Sequence, residues 1–459
     1  MKKRFFPKHP QSLTILYDET HLPPEIRKGL GWILRANLCG SLCGLICSGG
    51  SAAMVGLAGL LGAGDFEFGL LVAIPQVAAL LQIPFSLLVN RSHKRKIWLL
   101  TLGLFSRVVW MLFGFFPLLN RVPDSRLMLY ALIILLGLSS ACAAVINVVW
   151  FPWFSDLTPV RIRGRWLSRR DRIISSLSLP FGLLVGWLLD VLGMPARYIL
   201  IFLIGGFFGA MDMICFGFVP EVWKTEPPQI RLRKAVGDVI RNRSFMRLVV
   251  MWTVWCFTAN MSGAYLVPYS MNTMGLSALQ VTICGTVAAS LTTILMVPLW
   301  GQALDRFGSR SVMLLACLGS SVAPFSYLMA SPGNFWPMLL HNLFGAFFWC
   351  GSNLAANSLQ LYASPDDERA TYIAFFSAVT CLFGTALGTL SGGWILEAFR
   401  SAGLFTGWFD RYKALITFAS LLRFGSVWLL VPGLVNENQA TSVDLIRSVQ
   451  GSLRSRRRR

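Results

Sequence analysis

A chain of 459 residues that is 55% hydrophobic and only 14% charged carries too little charge for a soluble globular protein, in which about 25% is usual. Its formal charge of +20 raises nucleic acid as a partner, so the placement of the basic residues decides what that charge means. The ten cysteines all lie within apolar runs and the four histidines are scattered, which excludes a disulfide framework and offers no metal cluster.

Run length is the next test. A spanning helix needs about 20 mostly apolar residues, because roughly 30 Å of hydrocarbon is crossed at 1.5 Å per residue. About twelve runs qualify, at 33–61, 68–89, 97–119, 127–154, 173–192, 198–219, 245–269, 278–303, 311–330, 336–361, 372–399 and 414–431. No alternating barrel pattern occurs. The expectation is an all-α polytopic membrane protein with twelve transmembrane helices.

Taken in chain order, the basic start MKKRFFPKHP has no short apolar segment and cleavage site behind it, so no removed signal peptide is expected. In the first run Cys39, Cys43 and Cys47 repeat every four residues on one helix face. With no acid or histidine beside them they read as small residues at a helix contact, and neither metal nor cofactor is expected. Pro75, Pro84, Pro298 and Pro324 fall inside runs, which lipid tolerates where neighbouring helices satisfy the freed backbone groups. Arg107, Asp212 and Arg423 lie in the third, sixth and twelfth runs, where an ionisable group costs at least about 2.5–3.5 kcal/mol. At 1.5 Å per residue, Arg107 and Asp212 sit at a similar depth of roughly 12–15 Å and are expected to pair. Arg423 has no acid at its depth and is expected to snorkel.

The chain repeats itself. After the fourth run comes DLTPVRIRGRWLSRR, then apolar residues, then GWLLD; after the tenth comes YASPDDERATYIAFF, then apolar residues, then GWILE. Pro159 matches Pro365, Arg163 matches Arg369, Gly186 matches Gly393, Trp187 matches Trp394 and Asp190 matches Glu397. Arg197-Tyr198 and Arg411-Tyr412 open the sixth and twelfth runs alike. The chain is therefore a duplicated six-helix unit whose copies run the same way, an arrangement expected of secondary transporters. The expected divisions are an N-terminal cytoplasmic segment 1–31, a first bundle 32–220, a cytoplasmic linker 221–244, a second bundle 245–433 and a basic cytoplasmic tail 434–459. Lys and Arg on the loops that share the side of the termini outnumber those opposite roughly fivefold, which places that side in the cytoplasm. The basic charge is topology, and no nucleic-acid partner is expected. The tail RSRRRR is expected to meet anionic lipid headgroups.

The segment GQALDRFGSR after the eighth run resembles the G-x-x-x-D-R-x-G-R-R/K signature of the major facilitator superfamily, through Gly301, Asp305, Arg306, Gly308 and Arg310. Pro159, Arg163 and Gly164 resemble that family's loop after helix 4. In the first half the signature has decayed to PFSLLVNRSHKRK, where the carboxylate is gone. The resemblance implies two parallel six-helix bundles and supports an inter-bundle latch, with Asp305 facing the start of helix 5 near Arg169; the alternative is a local ion pair of Asp305 with Arg306 or Arg310 that only fixes the loop. Gly301 would allow close helix approach there and Gly308 the turn into helix 9.

The resemblance further implies that helices 1, 4, 7 and 10 line a central cavity. Their mid-depth polar residues are Asn147, Trp150, Asn260, Tyr265, His341, Asn342, Trp349 and Asn353, with Asn37 nearer the cytoplasm. No acid lies in those predicted runs, so His341, the one intramembrane histidine, is the candidate for proton coupling. The function expected is secondary active transport of a small organic solute by alternating access, in a monomer of the cytoplasmic membrane with both termini inside. A membrane-embedded enzyme would need acids and histidines clustered at one face, which the sequence lacks; a receptor or lipid scramblase on the same fold is the other alternative.

Overall fold

Hydrocarbon offers a backbone amide no partner except another residue, so a chain this apolar must be helical where it crosses. The computed structural model describes residues 23–82, 85, 95–119, 125–158, 160–220, 232–365 and 369–434, and no strand occurs among them. The spans are α1 (Pro24–Ile46), α2 (Asp65–Ala78), α3 (Arg95–Phe113), α4 (Ser125–Leu157), α5 (Val160–Val191) and α6 (Ala196–Gly217) in the first lobe. The second lobe holds α7 (Arg243–Gly263), α8 (Ala278–Phe307), α9 (Ser309–Met329), α10 (Trp336–Ala363), α11 (Thr371–Ser401) and α12 (Arg411–Gly433). Nine of the helices among the described residues are long and apolar enough to cross a membrane by length and composition alone. Of those that fall short, α7 and α10 carry Trp, Asn, Ser and, in α10, His, which lower their mean hydropathy. Large apolar side chains such as Ile134, Leu295, Phe207 and Leu429 stand exposed on the outside, as a lipid-facing surface requires.

Local chemistry sets the helix ends. The first run, expected as one helix over 33–61, starts earlier at Pro24 and breaks after Ile46, and a short helix Ala52–Leu60 follows. The break lies where Gly49 meets the α2 backbone: a Cβ there would collide with the Leu71 carbonyl oxygen. Ser51 then caps the new helix by accepting from the Met54 amide. The linker expected over 221–244 contains a helix of its own, Leu232–Arg241. Gly308 adopts φ +79° between α8 and α9, a conformation other residues resist. The ten cysteines are all free, and seven of them are buried at helix contacts.

Call the end where α1 begins and α12 finishes the base, and the opposite end the crown. One buried apolar cluster at the crown takes residues from both lobes, including Leu57, Leu71 and Phe202 from the first and Met261, Tyr265 and Leu396 from the second. Toward the base the core divides. One cluster, with Ile33, Trp153 and Phe216, belongs to the first lobe, and another, with Phe245, Trp255 and Met313, to the second.

The repeated Gly-Trp motif sits at the crown junction in both copies. At Gly186 of α5 a Cβ would stand 3.1 Å from Leu279 Cα of α8; at Gly393 of α11 it would stand 3.1 Å from Phe66 Cα of α2. The acids that follow behave differently. Asp190 accepts from the amides of Ala278 and Leu279 at 2.9 Å each, capping α8 from the opposite lobe. Glu397 lies 3.8 Å from Arg400 on the surface, and the start of α2 is closed by its own Glu67, which accepts from the Gly64 amide at 2.9 Å. Replacing a capping side chain by Ala costs about 0.5–2 kcal/mol. Asp190→Ala should therefore raise the crown-open population about 2- to 30-fold, read as a lengthened distance between spin labels on the crown ends of α5 and α8; an unchanged distance distribution would remove the cap from the account.

Candidate functional site

Beneath the crown, between the lobes, lies a cavity of about 300 Å³. Ala52 and Ala53 wall it from the first lobe together with Gly182 and Val185 of α5; Thr286 of α8, Tyr327 of α9 and His341 and Asn342 of α10 wall it from the second. A second cavity of about 410 Å³ lies within the second lobe and shares Gly263, Leu266, His341 and Asn342 with the first. Asn260, Trp349 and Arg423 complete its polar and aromatic wall. A third, of about 360 Å³ in the first lobe, is lined by Gln76, Ser106, Arg107, Trp110 and Ser139 among others. These volumes suit small organic ligands. No carboxylate lines any of the three.

The residues expected at the cavity divide into those that face it and those spent elsewhere. Asn260, His341, Asn342 and Trp349 face the cavities. The His341 ring meets Tyr327 edge-on at 5.4 Å, and its Nδ1 has no hydrogen-bond partner among the described residues. Asn260 and Asn342 each donate to a carbonyl one turn back, Cys256 and Met338, which leaves their side-chain oxygens for a solute. Asn353 donates to the Trp349 carbonyl and lines none of the three cavities. Tyr265 is a correction. It is 1% exposed, its hydroxyl donates to the Thr389 carbonyl at 2.6 Å, and it lies against Gly69, Gly392 and Gly393 at the crown junction. Trp150 stands under the Arg170 guanidinium at 5.5 Å, where Arg170 also reaches Asn37 at 3.5 Å, at the first lobe's base end and away from the three cavities. The side chain of Asn147 lies outside the described residues.

Arg107 and Asp212 form an ion pair at 3.2 Å inside the first lobe. Arg423 does not snorkel: it is 5% exposed, because its guanidinium donates to the carbonyls of Ser320 and Thr258 at 3.3 Å each. Among groups expected as a latch, Asp305 makes no hydrogen bond or ion pair with any described residue, and no described neighbour comes within 4 Å of a Cβ at Gly301. No described residue makes the close approach expected at Gly301. Arg306 and Arg310 form no ion pair among the described residues either. Pro159 and the side chains of Arg163, Gly164 and Arg369 lie outside the described residues.

The junction that does close lies at the crown, and sequence reasoning missed its members. Asp65, 3% exposed at the start of α2, pairs with Arg411 of α12 at 3.1 Å and accepts from the Tyr412 hydroxyl. Asp410 caps α12 through the Lys413 amide and accepts from Tyr269 at 2.8 Å. Lys413 is 2% exposed and donates to the carbonyls of Ala330 and Trp408. The repeated Arg-Tyr start of α6 and α12 was the available signal. The hydrogen bonds and the ion pair that join the lobes through Asp190, Asp65, Arg411 and Tyr412 lie at the crown.

The family model described as Major Facilitator Superfamily matches residues 37–389 and 285–456. The chain belongs to that superfamily. It is 27% identical over 208 residues to the multidrug resistance protein MdtH of Cronobacter sakazakii, covering 43% of this chain and 49% of that protein. Over 157 residues it is 27% identical to the multi-drug resistance efflux pump PmrA of Streptococcus pneumoniae serotype 4, covering 33% of this chain and 38% of the pump. The matched region thus spans about half the length, or less, of these curated relatives. The crystal structure of the nucleoside transporter NupG has the same fold, with TM-score 0.64, 12% identity and coverage of 88% of this chain and 98% of that one.

Removing one partner of a buried pair costs about 3–5 kcal/mol, and the 31% exposure of Arg411 reduces this to about 1–3 kcal/mol. Asp65→Asn should accordingly increase thiol-reagent access at the crown, and unaltered access would remove the pair as a gate. Tyr265→Phe removes the hydroxyl bond to the Thr389 carbonyl and should destabilise the protein by about 0.5–1.5 kcal/mol in thermal unfolding, with solute affinity unchanged. A loss of affinity without a fall in melting temperature would return Tyr265 to the cavity.

Proposed function

We propose that this protein is a secondary active transporter that moves a small organic solute across the cytoplasmic membrane by rocking its two lobes about the cavity between them. The observation that carries the reading is the division of the core: one apolar cluster common to both lobes at the crown, and one cluster in each lobe toward the base. A junction sealed at one end and parted at the other is one of the two states alternating access requires. The excess of Lys and Arg on the base loops supports a cytoplasmic base; the cavity then opens inward. The curated relatives named as multidrug resistance proteins favour an organic solute with a substantial apolar body. In the alternate state the base closes, and Asp305, Arg306 and Arg310 then meet the start of α5.

His341 is the coupling candidate because it lines both the central and second-lobe cavities, while no carboxylate does. The test is flux into proteoliposomes with a panel of drugs, nucleosides, sugars and organic acids. Saturable uptake accelerated by unlabelled solute on the other side is expected for at least one class; the absence of saturable flux throughout would overturn the reading. His341→Gln should keep exchange and lose accumulation driven by a pH gradient, and accumulation equal to that of the parent protein would remove the coupling role.

A further inference from the structure

The two lobes carry one arginine each at the same place in the bundle, supplied by different helices. Gly209 stands twelve residues after Arg197, and Arg423 stands twelve after Arg411, so the repeat sets Gly209 against Arg423. In the first lobe Gly209 makes room for the arginine of α3: a Cβ there would lie 2.7 Å from Arg107 Cδ. In the second lobe α12 supplies the arginine, and it reaches across to the α9 backbone at Ser320. The charges around the two differ. Arg107 is neutralised by Asp212 at 3.2 Å. Asp212 stands fifteen residues after Arg197, and the residue fifteen after Arg411 is Ser426, whose hydroxyl is spent on the Arg423 carbonyl at 2.8 Å. Where the first lobe has an acid, the second has a serine.

Arg423 is thus a cation 95% hidden from solvent, with no carboxylate paired to it among the described residues. A guanidinium has five N–H donors. Two are taken by the Thr258 and Ser320 carbonyls, and Nε is buried without a partner. The side chain forms part of the wall of the second-lobe cavity of about 410 Å³, beside Asn260, Asn342 and Trp349. Trp349 stacks on Trp255 at 4.8 Å, and Trp255 on Trp252 at 4.7 Å, which backs the aromatic wall with a rigid column. A buried charge without a counter-ion is costly, and an anion entering this cavity removes that cost through charge-assisted hydrogen bonds.

We propose that the second-lobe cavity is a subsite for the acidic group of the solute, with Arg423 holding a carboxylate and Trp349 an aromatic or apolar body. The proposal rests on the transport reading for its meaning, as it names the class of solute carried: organic monoanions rather than cations. Asn260 and Asn342 present their side-chain oxygens to the polar atoms of the body, and the cavity holds no acid that would repel the carboxylate.

The experiment uses the full chain in lipid nanodiscs with 2-naphthoate and its neutral match 2-naphthamide, read by quenching of tryptophan fluorescence. Naphthoate should bind at least about tenfold more tightly than the amide, as hydrogen bonds to a charged group require. In Arg423→Gln this preference should fall below about twofold while the amide's affinity stays constant, and Arg423→Lys should keep a preference for the anion. Equal affinity for acid and amide in the parent protein, or a preference that survives in Arg423→Gln, overturns the proposal. Should Arg423→Gln not fold, the parent's acid-to-amide ratio and its loss of selectivity at high salt decide the matter with Arg423→Lys. Anion-selective binding without flux keeps the subsite and removes the transport reading; saturable flux that ignores the acid group does the reverse.

Discussion

The first turn of α8 has amides with no partner in their own helix, and the carboxylate that takes two of them belongs to the other lobe. In lipid, backbone groups left open must find protein. A helix start at the crown is therefore completed only when the lobes meet, and the chain's largest shared core is assembled around that meeting. The Asp65–Arg411 pair repeats the principle on the other side of the crown with side chains alone. Both polar contacts are short, directional and few, and each lobe keeps a core of its own toward the base.

Duplication made the architecture legible. Apolar run length, the repeated Gly-Trp-acid motif and the bias of basic residues follow from one-dimensional rules: hydrocarbon thickness, copied helix contacts and membrane charge asymmetry. Gly186 and Gly393 were readable as a pair, and their contacts at the crown explain why the motif needs a residue without a side chain. The break after Ile46 was passed over by run length, although Ser48-Gly49-Gly50-Ser51 marks it; what the sequence could not say is that the Leu71 carbonyl of another helix leaves no room for a side chain at Gly49.

The site was legible only in part. A polar residue at mid-depth has several ways to satisfy itself, and sequence does not say which helix face it occupies. His341 and Asn342 turn toward space, whereas Tyr265 turns into the junction and spends its hydroxyl on Thr389. Arg423 illustrates the same difficulty from the other direction. Snorkelling needs a clear path along the helix, and two carbonyls at hydrogen-bond distance hold the guanidinium inward instead. Depth alone sufficed to relate Arg107 to Asp212 because the two had no competing partner. Asp305, Arg306 and Arg310 pair with no described residue, so their contact with the start of α5 belongs to the proposed closed base.

The cysteines bear on how the helices pack. All ten are free and seven are buried where helices touch, so they serve as compact packing groups. No disulfide joins the helices, so none of these contacts depends on an oxidant. Three are left half-buried, and Cys47 among them lines the first-lobe cavity beside Arg107, so a bulkier residue at that position would take space from the cavity itself.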